Sequence, residues 1–102
     1  MLFAIITTDH PGSLPARLAH RAEHRARIEA LAQENRLLTA GPFPAADGSE
    51  QFTGSLIVAE FPDLTAAERW AEADPYQREG VYARREIRPY RAVFGATLQP
   101  IS

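Results

Sequence analysis

The chain has no cysteine. That excludes thiol catalysis, disulfide scaffolds and thiolate metal sites, and it leaves the redox compartment open. Lysine is also missing, so all 11 basic residues are arginine. No apolar run approaches the ~20 residues needed to span a bilayer. The start, Met1-Leu2-Phe3-Ala4-Ile5-Ile6, lacks both the basic segment and the length of a signal peptide, so a cytosolic protein with no membrane partner is expected. Neither sign of charge dominates. With 11 basic and 13 acidic residues the net charge is −2, too near neutral to hold the protein to nucleic acid by bulk electrostatics.

What is present is an ordinary globular balance, 45% hydrophobic and 24% charged over 102 residues. One domain is expected over residues 1–95, with 96–102 as a tail. A chain of this length buries roughly two thirds of its unfolded surface, enough to fold without a metal.

Leu2 to Thr7 is apolar, rich in β-branched and aromatic residues, and stops at Asp9-His10-Pro11-Gly12. It reads as an interior strand followed by a turn. Ser13 is placed to cap a helix with Pro15 in its first turn, and no glycine or proline follows until beyond Arg36. The spacing predicts a helix throughout that stretch. Leu37 to Phe43 reads as a strand reaching Gly41-Pro42, and Asp47-Gly48 as a hairpin turn. Gly54 to Phe61 reads as a second buried strand. Residues 63–73 predict a helix capped by Asp63 or Thr65, with Glu68 at capping-box spacing from Thr65. Asp74-Pro75 ends it, because the residue before proline avoids helical geometry. One further helical turn fits Tyr76 to Gly80. Val81 to Phe94 reads as extended, at an edge or bulge because of Pro89.

The order β-α-β-β-α-β is the split βαβ arrangement. It is an α+β fold with an antiparallel four-stranded sheet and both helices on one face. The other face then lacks a helix cover, and a second copy of the chain could cover it.

Helical spacing puts Arg17, Arg21, His24, Ile28 and Leu31 on one stripe. The stripe begins polar and ends in core residues. Either the helix end emerges into solvent, or its polar part lines a pocket for an anion, since guanidinium forks match carboxylates and phenolates. Partial burial beside Ile28 would suit His24 to proton transfer. Asp74 closes the second helix at the end where the macrodipole disfavours a carboxylate. A nearby imidazolium would compensate; the plainer reading is an exposed aspartate in an Asp-Pro turn. Gly41-Pro42 and Gly54-Ser55 fit either a pocket or ordinary strand ends. Trp70 reads as core. His20-Arg21-Ala22-Glu23-His24 matches the zinc signature H-x-x-E-H, but a third protein ligand is wanting: His10, the remaining histidine, lies in a turn.

Several of these segments together resemble the YCII-related family: Arg17-x-x-x-Arg21-x-x-His24, Gly41-Pro42, Gly54-Ser55-Leu56, Asp74-Pro75 with Gly80-Val81, and Ile87-Arg88-Pro89-Tyr90. The likeness runs from Leu2 to about Phe94. It implies a ferredoxin-like fold of the dimeric α+β barrel superfamily. It also implies a homodimer through the open sheet faces and a pocket with a histidine and an aspartate, which fall on His24 and Asp74. Some members are similar to enzymes of chlorinated-aromatic breakdown, including a dehydrochlorinase of a chlorinated hydroxyhydroquinone. Many members carry leucine after the histidine; here it is Arg25, a position expected to face away from the pocket.

The reading that follows is a small enzyme without metal or organic cofactor. His24 and Asp74 would form an acid/base pair, and Arg17, Arg21, Gly41, Pro42 and Ser55 would hold an anionic or aromatic small molecule. The alternative is a non-catalytic ligand-binding or accessory domain built on the same pocket.

Overall fold

The computed structural model describes residues 1–95; the expected tail at 96–102 lies outside the described residues. Strand β1 (Leu2–Asp9) leads to helix α1 (Leu14–Gln33), then β2 (Leu37–Pro44), β3 (Phe52–Glu60), α2 (Leu64–Glu72), the short α3 (Pro75–Arg78) and β4 (Tyr82–Tyr90). The sheet order is β2-β3-β1-β4, with every neighbouring pair antiparallel. This is the ferredoxin-like split βαβ topology expected from the pattern. Among the described residues no helix is long and apolar enough to cross a membrane.

Alternation along the two central strands sorts the core. Phe3, Ile5, Ile57 and Ala59 face the helices and pack with Leu31 of α1 and Ala67 and Ala71 of α2. Burying each of the larger side chains contributes ~1.5–3 kcal/mol. Phe61 joins them, tilted against Phe3 at 6.4 Å and against Trp70 at 5.9 Å. Trp70 is thus a half-buried margin of the core, and its other partner is Arg27, whose guanidinium lies 4.3 Å from the ring centroid. The opposite face presents Leu2, Ala4, Ile6, Leu56 and Val58 in the centre, and among the described residues no helix packs on it. As Pro89 implied, β4 lies at a sheet edge.

The ends of the helices differ from the sequence reading in instructive ways. Helix α1 stops at Gln33, short of Arg36. Asn35 takes a left-handed conformation (φ 59°), and the N–H groups of Asn35 and Arg36 return to the carbonyls of Ala32 and Leu31. This is a Schellman ending with asparagine in the place glycine usually occupies. Ser13 makes no side-chain cap; only its carbonyl engages the helix, through Arg17 N–H. Of the two candidate caps for α2, Asp63 serves, accepting Ala66 N–H at 2.9 Å.

Asp74 requires a correction. It does end the α2 segment, but its side chain accepts Tyr76 N–H at 2.9 Å and so caps the start of α3. The helix end it faces is therefore one that favours a carboxylate.

Gly54 is fixed by the sheet itself. A Cβ there would meet the Thr7 carbonyl oxygen at 1.9 Å, whereas a Cβ on Gly41 meets nothing within 4 Å. Gly54→Ala should cost at least ~2 kcal/mol, because overpacked sites in a rigid interior lose ~1–3 kcal/mol. Gly41→Ala should stay within about 0.5 kcal/mol of the parent. Urea unfolding of the two variants separates them; equal midpoints would contradict the close approach of β1 and β3.

Candidate active site

One cavity of about 300 Å³ opens between α1 and the β2–β3 hairpin. Its helix wall carries Arg17, Arg21, His24 and Ile28, which follow one another at helical spacing. Its sheet wall carries Ala40, Gly41 and Pro42 of β2, with Phe52, Ser55 and Ile57 of β3. Tyr76 of α3 closes the inner end. Every site residue named from the sequence except Asp74 is on this wall. Asp74 stands one shell behind it, reached through His24.

His24 is buried, and its Nδ1 lies 2.9 and 3.0 Å from the two carboxylate oxygens of Asp74. The partners are 50 positions apart in the chain. A carboxylate only accepts, so the network assigns the proton to Nδ1 and leaves the Nε2 lone pair for the cavity. The imidazole also stacks on Tyr76 at 3.9 Å between centroids and 9° between planes. Ring position and tautomer are thus both set by α3, which supplies the stack and the carboxylate.

Arg17 is buried, and its fork is largely committed. Nε and Nη2 donate to the two oxygens of Asp9, Nη2 also to the carbonyl of Gly54 at 3.0 Å. Its guanidinium carbon sits 5.0 Å from the Tyr76 centroid and 5.3 Å from that of Phe52. Among the described residues its Nη1 has no protein partner. Asp9, which reads as the first turn residue, is in fact the last residue of β1, buried and facing the helices like Thr7 two positions earlier. The cation of Arg17 is neutralised inside the fold. The charge left for a ligand sits on Arg21 and Arg25, which have no ion-pair partner among the described residues.

Arg25 is the second correction. It lines the cavity instead of facing away. The opening is wider than one stripe: the row Arg21, Arg25, Glu29 runs along it beside His24 and Ile28. The residues of the H-x-x-E-H match disperse. His20 is not on the wall, and exposed Glu23 pairs with Arg78 at 2.6 Å.

Three hydroxyls sit under the sheet wall. Ser55 Oγ is 2.7 Å from Thr7 Oγ1 and 3.1 Å from Tyr82 Oη. Burial, followed by the charge of Asp74, pushes the Tyr82 hydroxyl well above its usual range, so it remains protonated. Arg27 moves the other way: burial lowers it, with Asp74 acting in opposition. It donates to the Trp70 carbonyl at 2.7 Å and ties α1 to α2.

A ferredoxin-like domain with a buried imidazole–carboxylate contact on the wall of one small cavity is the class that fold and geometry define. The chain belongs to the YCII-related family: residues 1–91 match the YCII-related domain. Protein YciI of Escherichia coli O6:H1 is 48% identical over 98 residues, spanning 92% of this chain and 100% of that one. Among solved structures, the chain is similar to 5-chloro-2-hydroxyhydroquinone dehydrochlorinase (TftG) from Burkholderia phenoliruptrix AC1100 in complex with 2,5-dihydroxybenzoquinone. The TM-score is 0.80 at 29% identity, over 89% of this chain and 94% of that one. An antibiotic biosynthesis monooxygenase shares the fold alone, with a TM-score of 0.50 at 18% identity over 91% and 99% of the two chains.

The Arg17–Asp9 pair yields a direct test. Removing one charge from a buried pair leaves the other uncompensated, which costs ~3–5 kcal/mol. Asp9→Asn should therefore destabilise by about that amount in chemical denaturation. A loss below ~1 kcal/mol would mean that the pair is solvated.

Proposed function

We propose that the chain is a small acid–base enzyme acting on a phenolic ring, of the dehydrochlorinase kind. One observation carries this reading: His24, which lines the cavity, has its Nδ1 2.9 Å from the Asp74 carboxylate, so that Nε2 is the nitrogen left for a ligand. That is the arrangement of a general base whose cationic form is stabilised from behind. The likeness to TftG supports a chlorinated hydroxyhydroquinone as the substrate class.

The chemistry balances without an oxidant. His24 takes the proton of one hydroxyl, which becomes a carbonyl, and delivers that proton to the ring carbon bearing chlorine. A second hydroxyl proton is then removed. Its O–H electron pair forms the second C=O, and the C–Cl pair departs with chloride. The net loss is HCl, with no net change of oxidation state: two hydroxyl-bearing carbons rise to carbonyl level, and the carbon that exchanges chlorine for hydrogen falls by the same two electrons. His24 can serve both proton transfers in turn, with Asp74 holding the ring. Arg21 and Arg25 supply positive charge for a phenolate, Arg17 offers its remaining Nη1, and Gly41, Pro42 and Ser55 shape the opposite wall. No cofactor enters.

The test is chloride release from 5-chloro-2-hydroxyhydroquinone. His24→Ala should reduce the rate ~10²–10⁴-fold, as for a positioned acid–base group. Asp74→Asn should fall similarly, and the double variant should be little worse than either single one. Unchanged turnover in His24→Ala would overturn the mechanism. Absence of turnover in a parent protein that still binds 2,5-dihydroxybenzoquinone would favour the non-catalytic ligand-binding domain.

We further propose a homodimer that covers the open sheet face. Leu2, Ile6 and Leu56 are only half-buried there, and Phe43 and Tyr90 are exposed at 39% and 46%. Light scattering at micromolar concentration should give twice the 11.3 kDa of one chain. A mass equal to one chain would refute it.

A further inference from the structure

Thr7, Ser55 and Tyr82 form a buried hydroxyl cluster that the acid–base chemistry does not use, and Ser55 is the member that reaches the cavity wall. Each hydroxyl has one proton to give and can accept two. That arithmetic narrows the directions the hydrogen bonds can take, and the distances choose among them.

Thr7 Oγ1 accepts the backbone N–H of Ser55 at 3.1 Å. Its own proton has two acceptors within reach, Ser55 Oγ at 2.7 Å and the Ser55 carbonyl at 3.4 Å. The 2.7 Å contact is the strong one of the two, since O–H···O bonds centre at ~2.7–2.8 Å, so the proton goes to Ser55 Oγ. Tyr82 is buried and keeps its proton. Among the described residues the acceptor for that proton is Ser55 Oγ, at 3.1 Å. A phenol donates better than it accepts, and a buried O–H left without an acceptor is destabilising. Ser55 Oγ therefore receives two hydrogen bonds. Both of its lone pairs are occupied, and its own proton has nowhere to go within the cluster.

We propose that Ser55 is an obligatory hydrogen-bond donor to the bound ring, and that Thr7 and Tyr82 are positioning residues that hold it in that sense. The cavity then offers two opposite polarities. His24 Nε2 on the helix wall accepts a proton; Ser55 on the sheet wall gives a hydrogen bond. The matching ligand carries a hydroxyl at one place and a carbonyl or phenolate oxygen at another. A ring whose oxygens are all hydroxyls offers Ser55 only the weaker phenolic acceptor. In the reaction, the ring oxygen that gains negative charge as its proton leaves is the partner Ser55 stabilises. This rests on the acid–base reading of the same cavity.

Two experiments separate the inference from that reading. The first needs no ligand. A neutron structure of the deuterated protein should show the Thr7 and Tyr82 hydroxyl deuterons on the lines to Ser55 Oγ, with the Ser55 deuteron directed into the cavity. A Ser55 deuteron on either of those lines overturns the inference and leaves the roles of His24 and Asp74 untouched.

The second is spectroscopic titration with 2,5-dihydroxybenzoquinone and with hydroquinone. Ser55→Ala should weaken the quinone about tenfold and hydroquinone severalfold less. Thr7→Val and Tyr82→Phe each free a lone pair on Ser55, so each should narrow the preference for the quinone. Thr7→Ser, which keeps the hydroxyl, should retain it. A merely structural role would weaken both rings equally, and an unchanged ratio in Ser55→Ala would sink the proposal. A parent protein that binds neither ring would refute the phenolic reading, and the ring-donor role of Ser55 with it.

Discussion

The ring of Tyr76 lies between two side chains of α1 that stand two helical turns apart, ~10.5 Å along the axis. On the His24 side the contact is a parallel stack at 3.9 Å; on the Arg17 side it is a guanidinium at 5.0 Å. Each of those groups is anchored by its own carboxylate, Asp74 behind the imidazole and Asp9 behind the guanidinium. The tyrosine hydroxyl closes the circuit by donating to the Arg17 carbonyl at 3.1 Å. One aromatic residue on a short helix thus sets the position of the long helix, the plane of the histidine and the inner end of the cavity. A change at Tyr76 would disturb all three.

The sheet contributes through its geometry at one end. Thr7 and Asp9 point to the helix face, and the register of β1 with β4 shifts between Thr8 and Asp9. The missing side chain of Gly54 lets β3 close on the Thr7 carbonyl, and the carbonyl of Gly54 is itself an acceptor for Arg17. The same glycine therefore permits the strand pairing and completes the arginine's hydrogen bonds. Beside it, Ser55 carries the hydroxyl cluster. Polar groups are unusual under a sheet this apolar, and each of these has a partner.

Much of the fold was legible because it depends on local signals. Strand alternation, the long glycine-free helix, Asp47-Gly48 and Asp74-Pro75 each act through nearby sequence. The stripe from Arg17 to Leu31 was legible too, since helical spacing alone puts those residues on one side. What escaped depends on distance or on very short elements. Asp9 sits in a run of turn formers, and only its partner eight residues later, Arg17, gives it a buried role. Asp74 read as misplaced because it was assigned to the helix it ends, although the helical turn expected from Tyr76 is the one its side chain caps. The role of Tyr76 was hidden because its partners, His24 and Arg17, lie more than fifty positions away. Arg25 was misjudged because a single stripe underestimates the width of a cavity that a second row of the helix also borders.

The outer strands carry prolines: Pro42 and Pro44 in β2, Pro89 in β4. Proline is tolerated in a strand where its missing N–H would face solvent, and there it denies a donor to any incoming strand. Both margins of the sheet are thereby poor templates for main-chain pairing. The fold is guarded against growing sideways into an open-ended ribbon, the route by which exposed strands aggregate. The proposed dimer would use the broad apolar face instead, and such a contact would close after a single partner has bound.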